Sequence, residues 1–133
     1  MTVPNAAVSV ATFRQGLNGY GGVSDTALRQ ADPSTAQDAN ALITIDSDDP
    51  NGSGNATQGL IKFDGLFGAG PGQVPAGARI TSALLLLNVT DFGSGFTVHR
   101  MIAPWGTGAT WNGLTGGVSL DDAEAEVFTL ASA

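Results

Sequence analysis

The chain has 133 residues, a net charge of −7 and no cysteine, and only 13% of its residues are charged. This length fits one domain, because two separate cores would each bury barely enough surface to offset the chain entropy lost on folding. The few basic residues are spread along the sequence, which excludes the basic patch of a nucleic-acid-binding protein, and the lack of cysteine excludes a disulfide framework and a thiol nucleophile.

The composition is typical of a β protein rich in turns, with 19 glycines and 6 prolines. Apolar residues that alternate with polar ones, or that form short runs between turn residues, predict strands. The predicted strands are residues 6–13, 26–29, 41–45, 60–63, 79–89, 96–101 and 126–130. Short strands at this spacing, with almost no helical periodicity, indicate an all-β fold, an antiparallel β-sandwich of the jelly-roll type.

Residues 79–89 are the strongest of these predictions, because leucines occur on both faces of the predicted strand. That pattern indicates a central strand buried on both sides. Residues 41–45 and 60–63 flank a polar loop and predict a hairpin with a long tip. Residues 65–78 are rich in glycine and proline and predict an irregular surface connection.

Several segments occur in an order that resembles the DNRLRE domain family. In that family an Asp-x-x-Leu-Arg segment is followed by a Leu-x-x-Phe-Asp strand, a Pro-Ala-Gly turn and a stretch with two tryptophans. The matching segments are residues 11–13 (ATF), 19–20 (GY), 24–30 (SDTALRQ), 60–64 (LIKFD), 74–83 (VPAGARITSA) and 105–112 (WGTGATWN). The resemblance covers most of the chain, roughly residues 7–112.

The resemblance implies a jelly-roll sandwich over residues 1–133 that binds polysaccharide, acidic or neutral, without cleaving it, in an extracellular or cell-surface bacterial protein. Family members continue through further strands, whereas this sequence stops at Ala133, so we expect either that the domain is truncated there or that another segment completes the sheet. An open sandwich edge exposes unpaired backbone groups and invites strand addition. The alternative function is therefore a structural surface or fibre subunit that is completed by a strand from a neighbouring copy.

Four residues are candidates for binding the polysaccharide. Tyr20 lies between glycine pairs and is expected to be an exposed platform for a sugar ring, and Trp105 is a second aromatic of that kind. Arg29 and Arg100 have guanidinium groups that bind a uronic-acid carboxylate through two parallel hydrogen bonds, which favours an acidic polysaccharide. The alternatives are tryptophans that fill the core, Trp111 above all, and arginines that form ion pairs with Asp25 or Asp64.

A calcium site is the second candidate, in the loop between residues 45 and 60. Asp46, Asp48, Asp49 and Asn51 place oxygen ligands close together, followed by Gly52, which suits a hard cation such as Ca²⁺. Pro50 interrupts the spacing and no glutamate lies at the far end, so the alternative is a solvated acidic turn.

No catalytic group is expected. His99 is the single histidine and alternates within a predicted strand, which indicates a structural imidazole with satisfied hydrogen bonds. The longest apolar run, residues 83–87, is too short to span a bilayer, so no membrane partner is expected. Residues 1–4 have neither the basic start nor the apolar run of a signal peptide. The polar, weakly charged composition is typical of a domain outside the cell.

Overall fold

The computed structural model describes residues 8–93 and 95–132. These residues form four strands, β1 Val23–Arg29, β2 Thr57–Phe63, β3 Thr97–Met101 and β4 Ala125–Ser132. The helices among them are two 3-10 turns, Leu17–Gly19 and Asn112–Leu114. The prediction of an all-β chain is therefore confirmed over the described residues. None of their helices is long and apolar enough to cross a membrane.

The strands form two antiparallel sheets of two strands each, β1 with β2 and β3 with β4. The β1–β2 pairing ends with the Gln30 N–H, which donates to the Ala56 carbonyl at 3.0 Å. In the other sheet Thr97 lies opposite Ser132 and Met101 opposite Ala125, and the register shifts twice in between. Such shifts are β-bulges, which bend the strand and increase its twist.

The predictions of residues 26–29, 60–63, 96–101 and 126–130 as strands are confirmed, although β1 and β2 begin earlier. The predicted hairpin of residues 41–45 with 60–63 is wrong, because β2 pairs with β1. A single bridge between Asp46 and Thr57 connects the loop to β2. The reason is burial: β1 contributes Leu28 and β2 contributes Leu60 to the core, whereas residues 41–45 have exposed or half-exposed side chains.

Two other strand predictions are wrong. Residues 8–13, the described part of the predicted strand 6–13, have no regular structure, and Val8 and Val10 are exposed. Residues 79–89, predicted to be a central strand, are also outside any strand, and all of their side chains are exposed. A strand requires a partner for its backbone N–H and C=O groups, and an apolar pattern does not supply one. The prediction of residues 65–78 as an irregular connection is confirmed.

The described chain forms two compact units. The first consists of the residues up to Val23 and of Phe63–Leu85; the second consists of Ser24–Lys62 and the residues from Leu86 onward. The fully buried residues lie in the second unit and come from β1, β2 and β4. They are Thr26, Ala27, Leu28, Thr57, Leu60 and Ala125.

Candidate functional site

A groove of about 530 Å³ opens in the first unit, between the turn that precedes β1 and the loop that follows β2. Its walls combine two aromatic rings, polar side chains and several glycines. The lining residues other than glycine are Thr12, Phe13, Leu17, Asn18, Tyr20, Asp64, Pro71 and Gln73. Apolar faces next to a few polar groups are the usual lining of a small-molecule or sugar site.

Tyr20 is held rigidly in this groove. Its hydroxyl donates a 2.8 Å hydrogen bond to the Asp64 carbonyl, and its ring meets the Phe13 ring edge-on, with 5.2 Å between centroids. The ring is therefore half-buried, whereas the sequence predicted an exposed platform. Desolvation, and secondly the Asp64 carboxylate, raise the pKa of the Tyr20 hydroxyl, which keeps it protonated and able to donate this bond at neutral pH.

The local backbone explains how Tyr20 reaches that position. The preceding 3-10 turn, Leu17–Gly19, contains Asn18 at φ 52°, and Gly16 and Gly19 flank it at φ of about 80°, the left-handed region that favours glycine. The Tyr20 N–H then donates to the Leu17 carbonyl at 2.9 Å and closes the turn. On the other side of the ring Gly22 is in close contact, since a Cβ there would overlap the Tyr20 ring and the Asp64 carbonyl.

The opposite wall of the groove is fixed by the side-chain amide of Gln73. Its Nε2 donates to the Gly65 carbonyl at 2.8 Å, and its Oε1 accepts from the Gly70 N–H at 2.9 Å. A glycine-rich loop has little intrinsic order, so these two bonds hold its backbone in one conformation. Hydrogen bonds within the chain thus hold both walls of the groove.

The other predicted ligand residues lie in the second unit and have separate partners. Arg29 donates to Asp32 at 2.7 Å and to Asp49 at 3.0 Å, and Arg100 donates to Glu126 at 2.9 Å. Both arginines therefore form ion pairs within the chain, as the alternative predicted, but with other partners than Asp25 or Asp64.

Trp105 is half-buried, and the Lys62 ammonium lies 5.3 Å from its ring centroid. This geometry is a cation–π contact, which uses one face of the indole. No local sequence pattern predicts this pair, because the two residues lie in segments that are distant along the chain. Trp105, Arg29 and Arg100 therefore each belong to a different local cluster within their unit.

The predicted calcium loop uses its carboxylates internally. Asp46 accepts from the Asp48 N–H at 2.9 Å, Asp48 accepts from the Gly52 and Gly54 N–H groups, and Asp49 accepts from Arg29 and Thr57 at 3.0 Å. Among the described residues no group of three or more acidic or histidine side chains is arranged to hold a metal ion. A Ca²⁺ ion held by these carboxylates and by Asn51 stays a prediction, and it would compete with the hydrogen bonds that the carboxylates accept.

We expect the stability of this loop to depend on the Asp48 carboxylate. The N–H groups of Gly54 and Gly52 hold the pKa of Asp48 below its usual range, so its carboxylate stabilises the folded chain at neutral pH, and that stability is lost as the pH falls through the lowered pKa. Asp48→Ala should therefore lower the melting temperature equally in chelator and in millimolar calcium, while Asp38→Ala, at an exposed loop position, should not. If the melting temperature of the wild-type chain rises with free calcium, that result would support a calcium site in this loop.

A second concavity, of about 410 Å³, lies in the second unit around Glu124 and was not predicted. The Glu124 carboxylate accepts from the Ser119 N–H and hydroxyl at 2.8 Å and from the Thr115 hydroxyl at 2.7 Å. These bonds, the Ser119 N–H first, hold the pKa of Glu124 below its usual range. The carboxylate is thus a loop-closing acceptor, comparable to an N-cap, and the concavity follows from the loop that it organises.

Gln58 is another residue with a role that the sequence did not indicate. Its Nε2 donates to the Val118 carbonyl at 3.0 Å, and its Oε1 accepts from the Val118 N–H at 2.7 Å. The side-chain amide therefore pairs with a backbone segment in the way that a neighbouring strand does. Trp111 packs beside it, with its indole against Gly117, in agreement with the interpretation of Trp111 as a structural residue.

His99 has a partner for each ring nitrogen. Nδ1 donates to the Glu126 carbonyl at 3.0 Å, and Nε2 lies 2.9 Å from the Thr97 hydroxyl. The prediction of a satisfied strand histidine is confirmed.

No protein-family model matches this chain, and neither does any curated protein or any solved structure.

Proposed function

We propose that the chain is a non-catalytic polysaccharide-binding module and that the groove around Tyr20 is its ligand site. The fold that we propose for the complete domain is a β-sandwich of the jelly-roll type, as in the DNRLRE family, in an extracellular or cell-surface bacterial protein. The two small antiparallel sheets are compatible with this architecture.

One observation supports the proposal above the others: a preorganised aromatic ring lines a groove that also contains amide, hydroxyl and carboxylate side chains. A sugar ring presents apolar C–H groups on its faces and hydroxyl groups on its edge. The Tyr20 ring can stack on the apolar face of a sugar, while Asn18 and Thr12 can form hydrogen bonds with its hydroxyl groups. The volume is within the range of small-ligand sites.

The groove favours a neutral polysaccharide over the acidic one that the arginines predicted. Its described lining includes Asp64 and no arginine or lysine. A uronic-acid carboxylate binds most strongly to a guanidinium or ammonium group, and the described lining offers neither. Arg29 and Arg100, the predicted partners of such a carboxylate, already bind carboxylates of the chain itself.

Tyr20→Ala is expected to weaken polysaccharide binding by about tenfold, because the substitution removes the aromatic face from the groove. Affinity gel electrophoresis through neutral polymers such as xylan, mannan and soluble cellulose derivatives, and through alginate and pectin, measures this change directly. Tyr20→Phe keeps the ring and should retain most of the binding.

Trp105→Ala is the matched control, since it removes an aromatic side chain from the second unit and should leave retardation unchanged. A wild-type chain that is not retarded by any of these polymers would contradict the proposed function. Equal retardation of Tyr20→Ala and wild type would show that the polysaccharide binds elsewhere.

A further inference from the structure

Residues 79–91 are an apolar segment with no partner in the described chain. Leu84 and Leu86 have 83% and 81% of their surface exposed, while Leu85, Leu87 and Val89 on the alternate face are only about half exposed. None of the backbone hydrogen bonds between described residues involves residues 79–91. The segment therefore has the side-chain alternation of a strand and backbone groups that lack a ladder.

The charges of the segment indicate what can pair with it. Arg79 and Asp91 are its two charged residues, and Leu85 lies midway between them. Both are exposed, and neither forms an ion pair within the described part of the chain. The residues in between are uncharged, so the segment has a positive end, an apolar centre and a negative end.

We propose that residues 79–91 pair antiparallel with the same residues of a second copy, centred on Leu85. In this register Arg79 of each copy lies opposite Asp91 of the other copy, which gives two cross-strand ion pairs. In the centre of the ribbon Leu84 lies opposite Leu86 and Ser82 lies opposite Asn88, so like faces like there, whereas nearer the ends Ile80 faces Thr90 and Thr81 faces Val89.

The same charges argue against other arrangements. A parallel pairing in register places Arg79 opposite Arg79 and Asp91 opposite Asp91, and like charges directly opposite each other are destabilising. The antiparallel pairing is isologous, so it closes at two copies and does not propagate into a fibre. The proposal puts strand addition at this segment, whereas the sequence analysis predicted it at an open edge of the sandwich. This inference is independent of the proposed sugar site, which lies around Tyr20.

Cysteine cross-linking tests the register, since the chain has no cysteine of its own. Directly opposed residues have Cα atoms about 4.5–5.5 Å apart, which suits a disulfide. Leu85→Cys faces itself in the second copy and should form a covalent dimer on mild oxidation. Ile80→Cys is the matched control, because in this register the two positions lie roughly 34 Å apart along the ribbon and should not cross-link.

Charge exchange tests the ion pairs. Arg79→Asp and Asp91→Arg should each raise the dimer dissociation constant by about tenfold in sedimentation equilibrium, because each substitution turns two attractive pairs into two repulsive ones. The double exchange should restore wild-type association, and circular dichroism of each variant confirms that it is folded. A wild-type chain that stays monomeric up to millimolar concentration overturns the proposal. Equal cross-linking at positions 80 and 85 overturns the register.

Discussion

Leu28→Ala is expected to lower the free energy of unfolding by about 2–5 kcal/mol, as substitutions from large to small residues do in a core. Leu28 has none of its surface exposed and is the largest of the fully buried side chains in the described chain. The described core is small, so a cavity at this position removes a large share of its packing. A loss of that size is a large fraction of the roughly 5–15 kcal/mol that keeps a typical domain folded, so we expect a much lower denaturation midpoint for the variant.

Urea denaturation of the wild-type and variant chains, followed by circular dichroism, measures the change. Leu42→Ala is the matched control, because it deletes the same atoms from an exposed loop side chain and should change the free energy of unfolding by less than about 0.5 kcal/mol. Similar denaturation midpoints for the two variants would show that Leu28 does not form the core.

Gly117→Ala is the second substitution with a large expected effect, about 2–5 kcal/mol of lost stability. Gly117 has φ +93°, where a side chain adds strain of roughly 1–2 kcal/mol. A Cβ at this position would also lie 2.8 Å from Trp111 Cη2 and 2.9 Å from Gln58 Oε1. The resulting overpacking costs about 1–3 kcal/mol and disturbs the amide of Gln58 that pairs with Val118.

Gly116→Ala separates strain from overpacking. Gly116 has φ +100°, but the nearest contact of an added Cβ would be Trp111 Nε1 at an ordinary 3.9 Å. The stability that this variant loses should therefore come from backbone strain alone. The difference in stability between the two glycine variants, measured by thermal or urea denaturation, is then the cost of the clash with Trp111 and Gln58. Equal losses would mean that the indole moves aside at little cost.

The strands that the sequence predicted correctly are those with a buried partner. Residues 26–29 and 60–63 have apolar side chains that enter the core, and the segment from Thr97 to Met101 alternates along a paired strand. Residues 79–89 have the strongest apolar pattern and no partner, so the same reasoning failed there. Periodicity records which faces of a segment are apolar, whereas pairing depends on another segment being in reach.

The residues of the candidate site were also only partly predictable from the sequence. Tyr20 was predicted from its place among glycines, but Phe13, Asp64 and Gln73 join it only because the turn and the loop meet in the first unit. The arginines were recognised as binding groups for carboxylates, and the carboxylates that they bind are Asp32, Asp49 and Glu126. Which of several acidic residues lies next to a guanidinium depends on contacts between distant segments.

By itself, the sequence determined the all-β class, the positions of four strands, the lack of a basic patch and the symmetric charges about Leu85, because each of these follows from local composition and spacing. Only the tertiary structure decided that β2 pairs with β1 and that the carboxylates of the acidic loop accept hydrogen bonds from groups of the chain itself. It also decided that Gln58 and Glu124 organise the loops around them. The physical reason is that a hydrogen bond or an ion pair forms between whichever groups folding brings within about 3 Å, and residues far apart in sequence have no local pattern that records this proximity.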